Sequence, residues 1–432
     1  MFVSSTKFPS AQFYYCKVNI HPQTLNLISS SRKYLTVFII RSFIFFLLCM
    51  NMIICMAQPF GPFSSVKTGA EQTEKYFPLL KDKRIALVVN ATSFIGNVHL
   101  VDTLISSGMQ VKEIFAPEHG FRGDADAGQE IESSIDLKTK LPVISLYGNH
   151  KKPTHDDLKN IDLVVYDIQD VGVRFFTYIS TLQYVMEACA MDNIQLLILD
   201  RPDPNGWYID GPILEKKFSS FVGMQPIPVV YAMTPGEYAQ MLNGEKLLSD
   251  SLQCDLKIIS CEGYDHNTKY ILPRKPSPNL PNMTAVYLYP SVCFFEGTPV
   301  SLGRGTDKPF QLLGYPGCKL GKIMFTPTSR AGATNPPYLN ELCTGFDLSV
   351  YNNGFFFSQK SLFLSWLVEM YQTYPDRPNF FTSYFDTLAG TESLKNGIMT
   401  GKTVLQFRND WKPGLEKFNS VRKKYLLYKD FD

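Results

Sequence analysis

The chain has almost no surplus of charge: 42 lysines and arginines stand against 40 aspartates and glutamates in 432 residues, a formal charge of +2. Even that excess is local. Residues 1–57 hold five cations (Lys7, Lys17, Arg32, Lys33, Arg41) and no carboxylate, which leaves 37 cations against 40 anions, or −3, over the other 375 residues. A body so near neutrality has no bulk attraction for a polyanion, so nucleic acid is not expected as a partner. Familiar chemistry motifs are missing too. No G-x-G-x-x-G follows the first apolar run, where Asn90-Ala91-Thr92-Ser93 stands, and no G-x-x-x-x-G-K-S/T occurs, which excludes dinucleotide and P-loop sites. Without H-E-x-x-H or G-x-S-x-G, a helix-borne zinc protease or a nucleophile-elbow hydrolase has no anchor.

Long apolar runs are equally scarce. The one that stands out, Ser42 to Ala57, is broken only by Asn51 and follows Arg32, Lys33 and Arg41. A cationic stretch, an apolar stretch and small residues before Gln58 read as a secretory signal cut after Ala57, and as export to the periplasm or medium. The alternative is an uncleaved anchor, since Leu35 to Ala57 nearly matches the roughly 20 residues that span a bilayer. After cleavage no stable membrane span is expected. Six cysteines remain beyond the leader, with no C-x-x-C and no paired metal spacing. They are expected to be mostly buried thiols, with Cys254 and Cys261 the first pair to check, and no metal or cofactor is called for.

From about residue 65 the pattern alternates between short, continuous apolar runs and helix-period segments. The runs are Arg84–Asn90, Val111–Ala116, Val143–Tyr147, Leu163–Asp167, Leu196–Asp200 and Pro228–Tyr231. Helices are predicted over Val101–Gly108, Thr154–Asn160, Thr177–Asp192 and Thr234–Asn243, the last with Thr as cap, Pro at the first helical position and Glu three residues after the cap. Continuous apolar strands separated by helices predict an α/β fold with a mostly parallel sheet covered on both faces. The regularity ends near residue 250, and Pro273–Pro281 is a proline-dense connection. The expected division is a leader (1–57), an α/β catalytic domain (58–250) and a smaller α+β domain (251–432) that closes a cleft.

In an open parallel sheet, functional groups gather beyond the carboxyl ends of the strands. Three polar segments fall at such ends: Ala116–Gly123, Asp167–Arg174 and Asp200–Gly206. They deliver Glu118, His119, Arg122, Asp167, Asp170, Arg174, Asp200, Arg201 and Asn205 to one edge. Carboxylates, arginines and aromatics without a nucleophile or metal set suit a glycosidase or an acidic-sugar binder. Glu118, leaving a buried strand, is the sharpest candidate for a desolvated general acid. Spacing alone leaves open the other use, a loop-anchoring partner for Arg122. An ion pair with Arg174 is the competing use of Asp167 or Asp170, and His119 reads as a supporting hydrogen-bonder. A later segment, Phe294–Phe310, adds Glu296 and Arg304, the latter between two glycines that leave its guanidinium free to fork onto a carboxylate.

The chain resembles the exo-lytic β-N-acetylmuramidases, once catalogued as domain of unknown function 1343 and classed as glycoside hydrolase family 171. The likeness is carried by APEHGFRG (Ala116–Gly123), DIQDVGVRFFTY (Asp167–Tyr178), DRPDPNG (Asp200–Gly206), FEGTPVSLGRGTDKPFQLLGYP (Phe295–Pro316) and the ending Arg422–Tyr428. It departs where Phe176 replaces a usual Tyr and Asp203 a common Asn. The resemblance implies a Rossmann-like domain with a smaller second domain, Glu118 as the catalytic residue, and release of terminal N-acetylmuramic acid from the non-reducing ends of peptidoglycan fragments. Such a sugar carries a lactyl carboxylate, for which Arg122, Arg174, Arg201 and Arg304 are candidate clamps. Its acetamido group can itself attack the anomeric carbon, and Asp170 or Glu296 would then orient that amide. The competing expectation is a non-catalytic periplasmic receptor for cell-wall sugars.

Overall fold

The computed structural model describes residues 66–121 and 134–431. The expected leader and Arg122 lie outside these residues. Nine strands come first: β1 (Arg84–Val89), β2 (Phe94–Ile95), β3 (Val98–His99), β4 (Gln110–Ala116), β5 (Ser134–Ile135), β6 (Pro142–Ser145), β7 (Leu163–Asp167), β8 (Gln195–Leu199) and β9 (Leu256–Ile259). Seven of them form one sheet in the order β5-β6-β4-β1-β7-β8-β9, parallel throughout except for β5 against β6. β2 and β3 pair as a separate hairpin.

Side chains alternate between two cores along each central strand. On β1, Ile85, Leu87 and Val89 face a layer built on helices Thr73–Leu80 and Leu100–Ser106, and Ala86 and Val88 face the layer of helix Tyr178–Asp192. Both faces are therefore dry, which is why these strands read as unbroken apolar runs. The predicted helix cap at Thr234 forms as expected: its hydroxyl accepts the Glu237 N–H, and the Glu237 carboxylate accepts the Thr234 N–H.

Two predicted elements differ. Pro228–Tyr231 makes only isolated bridges, Val230 with Val173 and with Asp210, because Pro226 and Pro228 lack the N–H a ladder needs. The strand position on that side of β8 is filled instead by β9, beyond residue 250. Residues 154–160 form turns rather than a helix, because the Asp157 carboxylate closes locally on the Thr154 N–H (2.7 Å) and hydroxyl (2.6 Å).

The later part of the chain is smaller and mixed. Helix Met283–Val292 runs into a short 3-10 turn, Cys293–Gly297. Then come β10 (Leu312–Tyr315), β11 (Ile323–Phe325) and β12 (Cys343–Asp347), an antiparallel sheet in the order β10-β12-β11. Helices complete it, the last being Val404–Arg422. Residues 65–432 form one unit. Cys189, Cys254, Cys261, Cys293, Cys318 and Cys343 are buried, unpaired thiols, and Cys254 and Cys261 do not join. Among the described residues no helix is long and apolar enough to cross a membrane.

Candidate active site

A cavity of about 1040 Å³ opens beyond the carboxyl ends of β4 and β6 and is closed by the later part of the chain. β4 ends at Ala116, and a tight turn follows in which the Gly120 N–H bonds the Pro117 carbonyl (2.9 Å). His119 and Gly120 both take the left-handed backbone region there, an unusual state for a residue with a Cβ. That reversal turns the chain back at the sheet edge and leaves Glu118 on the cavity wall with His119 beside it.

Thr177 meets Glu118 from the next element. It immediately precedes helix Tyr178–Asp192 but gives no side-chain cap to that helix; its hydroxyl donates to Glu118 Oε2 at 2.7 Å. The carboxylate therefore sits beside the first turn of that helix. Burial, and then the charge of Glu118, push the phenol of Tyr147 far above its ordinary range, and burial with the same charge does so for Tyr178. Both phenols stay protonated as hydrogen-bond donors on this wall.

Glu296 lies on the opposite part of the lining, on the turn after helix Met283–Val292. Arg304 Nε donates to its Oε1 at 2.8 Å, and a second guanidinium nitrogen closes on the same oxygen. Burial disfavours the charge of Arg304, and Glu296 more than offsets it, so the guanidinium is held above its ordinary range. The Arg304 guanidinium rests 4.8 Å from the Phe310 ring centroid, and Phe310, Tyr289, Phe175 and Phe176 form a connected aromatic floor. Tyr384 feels Glu296 and Glu118 together, so the two carboxylates address a shared space.

Four predicted residues thus come together: Glu118, His119, Glu296 and Arg304. Six others do not line the cavity, and each is buried with partners of its own. Asp167 is ion-paired with Arg201 (2.5 and 3.0 Å), both sealed in the interior. Asp170 accepts from the Gly172 N–H (2.7 Å) and the Tyr231 hydroxyl (2.5 Å), and burial pushes its carboxyl up to about 7. Arg174 does not clamp a carboxylate; it donates to the carbonyls of Pro212, Ile227, Leu388 and Ala389, and burial lowers it to about 9. Asp200 holds the Thr234 hydroxyl, the Gly236 N–H and the Tyr428 hydroxyl, and burial raises it to about 6. Asn205 gives its amide to the Val171 carbonyl at 2.9 Å. These segments hold the sheet edge rigid from behind.

Sequence reasoning missed Thr177, Tyr147, Lys151 and Tyr384. Tyr147 was in reach of it, because that residue closes the predicted run Val143–Tyr147 and marks a fourth strand end.

Two family models cover this architecture: the N-terminal model of the exo-β-N-acetylmuramidase NamZ matches residues 85–284, and its C-terminal model matches residues 287–428. The chain belongs to the NamZ family. A NamZ relative, the peptidoglycan β-N-acetylmuramidase of Bacillus subtilis (strain 168), is 39% identical over 386 residues, covering 84% of this chain and 91% of the relative. Two crystal structures of DUF1343 family proteins from Bacteroides fragilis share the fold, each aligned over 85% of this chain and 100% of its own length. One is 47% identical with a TM-score of 0.80, the other 30% identical with a TM-score of 0.74. As a NamZ family member the chain spans nearly the whole of these relatives.

Proposed function

We propose that the protein is an exo-acting β-N-acetylmuramidase that releases N-acetylmuramic acid from the non-reducing ends of peptidoglycan fragments. The observation that carries this reading is the pairing of Glu118 with Glu296 around one aromatic-floored cavity in a chain of the NamZ family. Glu118 is the general acid: its proton passes to the glycosidic oxygen as the bond to the anomeric carbon breaks. Thr177 and Tyr147 fix the orientation of that carboxyl group.

The second role falls to Glu296. Held in place by Arg304 through one oxygen, its carboxylate is suited to accept the N–H of the sugar's acetamido group, so that the amide oxygen attacks the anomeric carbon. Water then opens the resulting ring with Glu118 acting as base, and the product leaves as the free sugar. Glu118→Gln should lower release of free N-acetylmuramic acid from a muramyl-headed disaccharide by roughly 10²–10⁴-fold, the usual worth of a placed general acid. A folded Glu118→Gln protein with wild-type turnover would sink the assignment. Tight binding of the disaccharide by wild type without any turnover would instead indicate a receptor.

The substrate class and the cationic-then-apolar segment before Gln58 together support export to the periplasm or medium. Expression in a Gram-negative host followed by terminal sequencing should give a mature chain beginning at Gln58 outside the cytoplasm. A full-length chain retained in the cytoplasm would refute export.

A further inference from the structure

Two cationic side chains, Arg304 and Lys151, line the cavity among the described residues, and they are placed very differently. Arg304 is already neutralised by Glu296, so the pair as a whole has little to offer another anion. Lys151 is half-buried, and among the described residues no carboxylate pairs with it; its ammonium lies 5.1 Å from the centroid of the Phe221 ring.

A continuous wall connects this cation to the acid. Tyr147 reaches Glu118 at one side and packs against Phe221 at the other, with ring centroids 6.1 Å apart. Phe221 is backed by Tyr184, stacked at 10° between planes. Glu118, Tyr147, Phe221 and Lys151 therefore follow one another along the lining. Of the two cations on the lining, only the ammonium of Lys151 is left for an anionic ligand's carboxylate, because the guanidinium of Arg304 is already taken up by Glu296. The favourable orientation points that group at Lys151.

Resting on the muramidase reading above, we infer that Lys151 determines specificity by receiving the lactyl carboxylate of the terminal sugar. The glycosidic oxygen at C1 is protonated by Glu118 while the ether substituent at C3, across the same ring, reaches the ammonium. A sugar lacking the lactyl group leaves Lys151 without its partner. Phe221 forms the apolar surface beneath the ion pair, where a cation already resting on a ring is held in place.

The test compares a muramyl-headed disaccharide with the same compound carrying its lactyl group as a primary amide, on wild type, Lys151→Met and Lys151→Arg. Wild type should prefer the acid by roughly 10- to 100-fold in kcat/KM, the range for a hydrogen bond to a charged group, and mostly through KM. Lys151→Met should bring that preference toward unity, and Lys151→Arg should restore most of it. A Lys151→Met enzyme that keeps the wild-type preference, or that loses equally on acid and amide, overturns the proposal. The muramidase reading is judged separately, by whether wild type releases the sugar at all. If it does not, calorimetric affinities of N-acetylmuramic acid and its lactyl amide for the same three proteins yield the same ratio and decide on Lys151 alone.

Discussion

Three buried oxygens that have no hydrogen-bond partner among the described residues, Asp170 Oδ1, Asp203 Oδ2 and Asn205 Oδ1, belong to the two strand-end segments behind the cavity. Burial first, and then the charge of Asp170, push the carboxyl of Asp203 well above its usual range. A neutral Asp203 has the shape and donor capacity of an asparagine, the residue that the family resemblance makes common here. The two acids are thus compatible with the interior only while at least one carries its proton. Both are raised above the unfolded value of about 3.9, so their contribution to stability is complete below that pH and is lost as pH rises through the folded values, about 7 for Asp170. Asp203→Asn should therefore leave stability near wild type at about pH 3, below the unfolded value, and raise it at pH 8, by about 1–3 kcal/mol, the cost of a buried group without a partner. Denaturant unfolding at the two pH values measures this. An equal change at both would show that protonation of the pair is not linked to folding.

At the scale of elements, the sheet was legible and the site only partly so. The runs at Arg84, Val111, Leu163 and Leu196 announce strands because both faces are dry, and the Thr234 capping box fixes a helix start by local hydrogen bonding alone. The same rule located Glu118, since a charged residue leaving a buried strand must emerge at the sheet edge. It could not separate Glu118 from Asp167, Asp170 and Asp200, which also follow buried strands. What separates them is the path of the next few residues. Left-handed His119 and Gly120 reverse the chain at the cavity wall, whereas Asp167 is met by Arg201 from the adjacent strand end. Those partners are distant in sequence and hidden from spacing arguments. Thr177 illustrates the point: in the sequence it is only the first residue of a predicted helix, and the fold shows its hydroxyl turned to Glu118. Glu296 and Arg304, eight residues apart on a glycine-rich loop, were recognisable as charges but not as partners of each other.

Across the whole molecule, the later part of the chain completes the polar interior of the earlier part. Arg174, buried with no carboxylate on it among the described residues, donates four hydrogen bonds there and depends on the carbonyls of Leu388 and Ala389 for two of them. Asp200 at the end of β8 accepts from the Tyr428 hydroxyl at 2.6 Å, and Glu237 accepts from the Leu427 N–H at 2.9 Å. Arg422, fully buried, donates to the Ala232 carbonyl at 2.6 Å while pairing with Asp430. The terminal segment thus returns to the strand-end edge from which the active-site loops spring. Removing it would expose or orphan several buried charges at once, each costing more than an ordinary surface contact supplies. Residues 65–432 should consequently unfold in one transition despite their two family models, with calorimetric and van't Hoff enthalpies in agreement. Near- and far-ultraviolet dichroism should trace superimposable urea curves, and a fragment ending at residue 284 should not fold alone. Two resolved transitions would mean that the buried arginines find substitute partners within the first part of the chain. The Glu118 wall would then owe its rigidity to the sheet alone, rather than to the returning terminus.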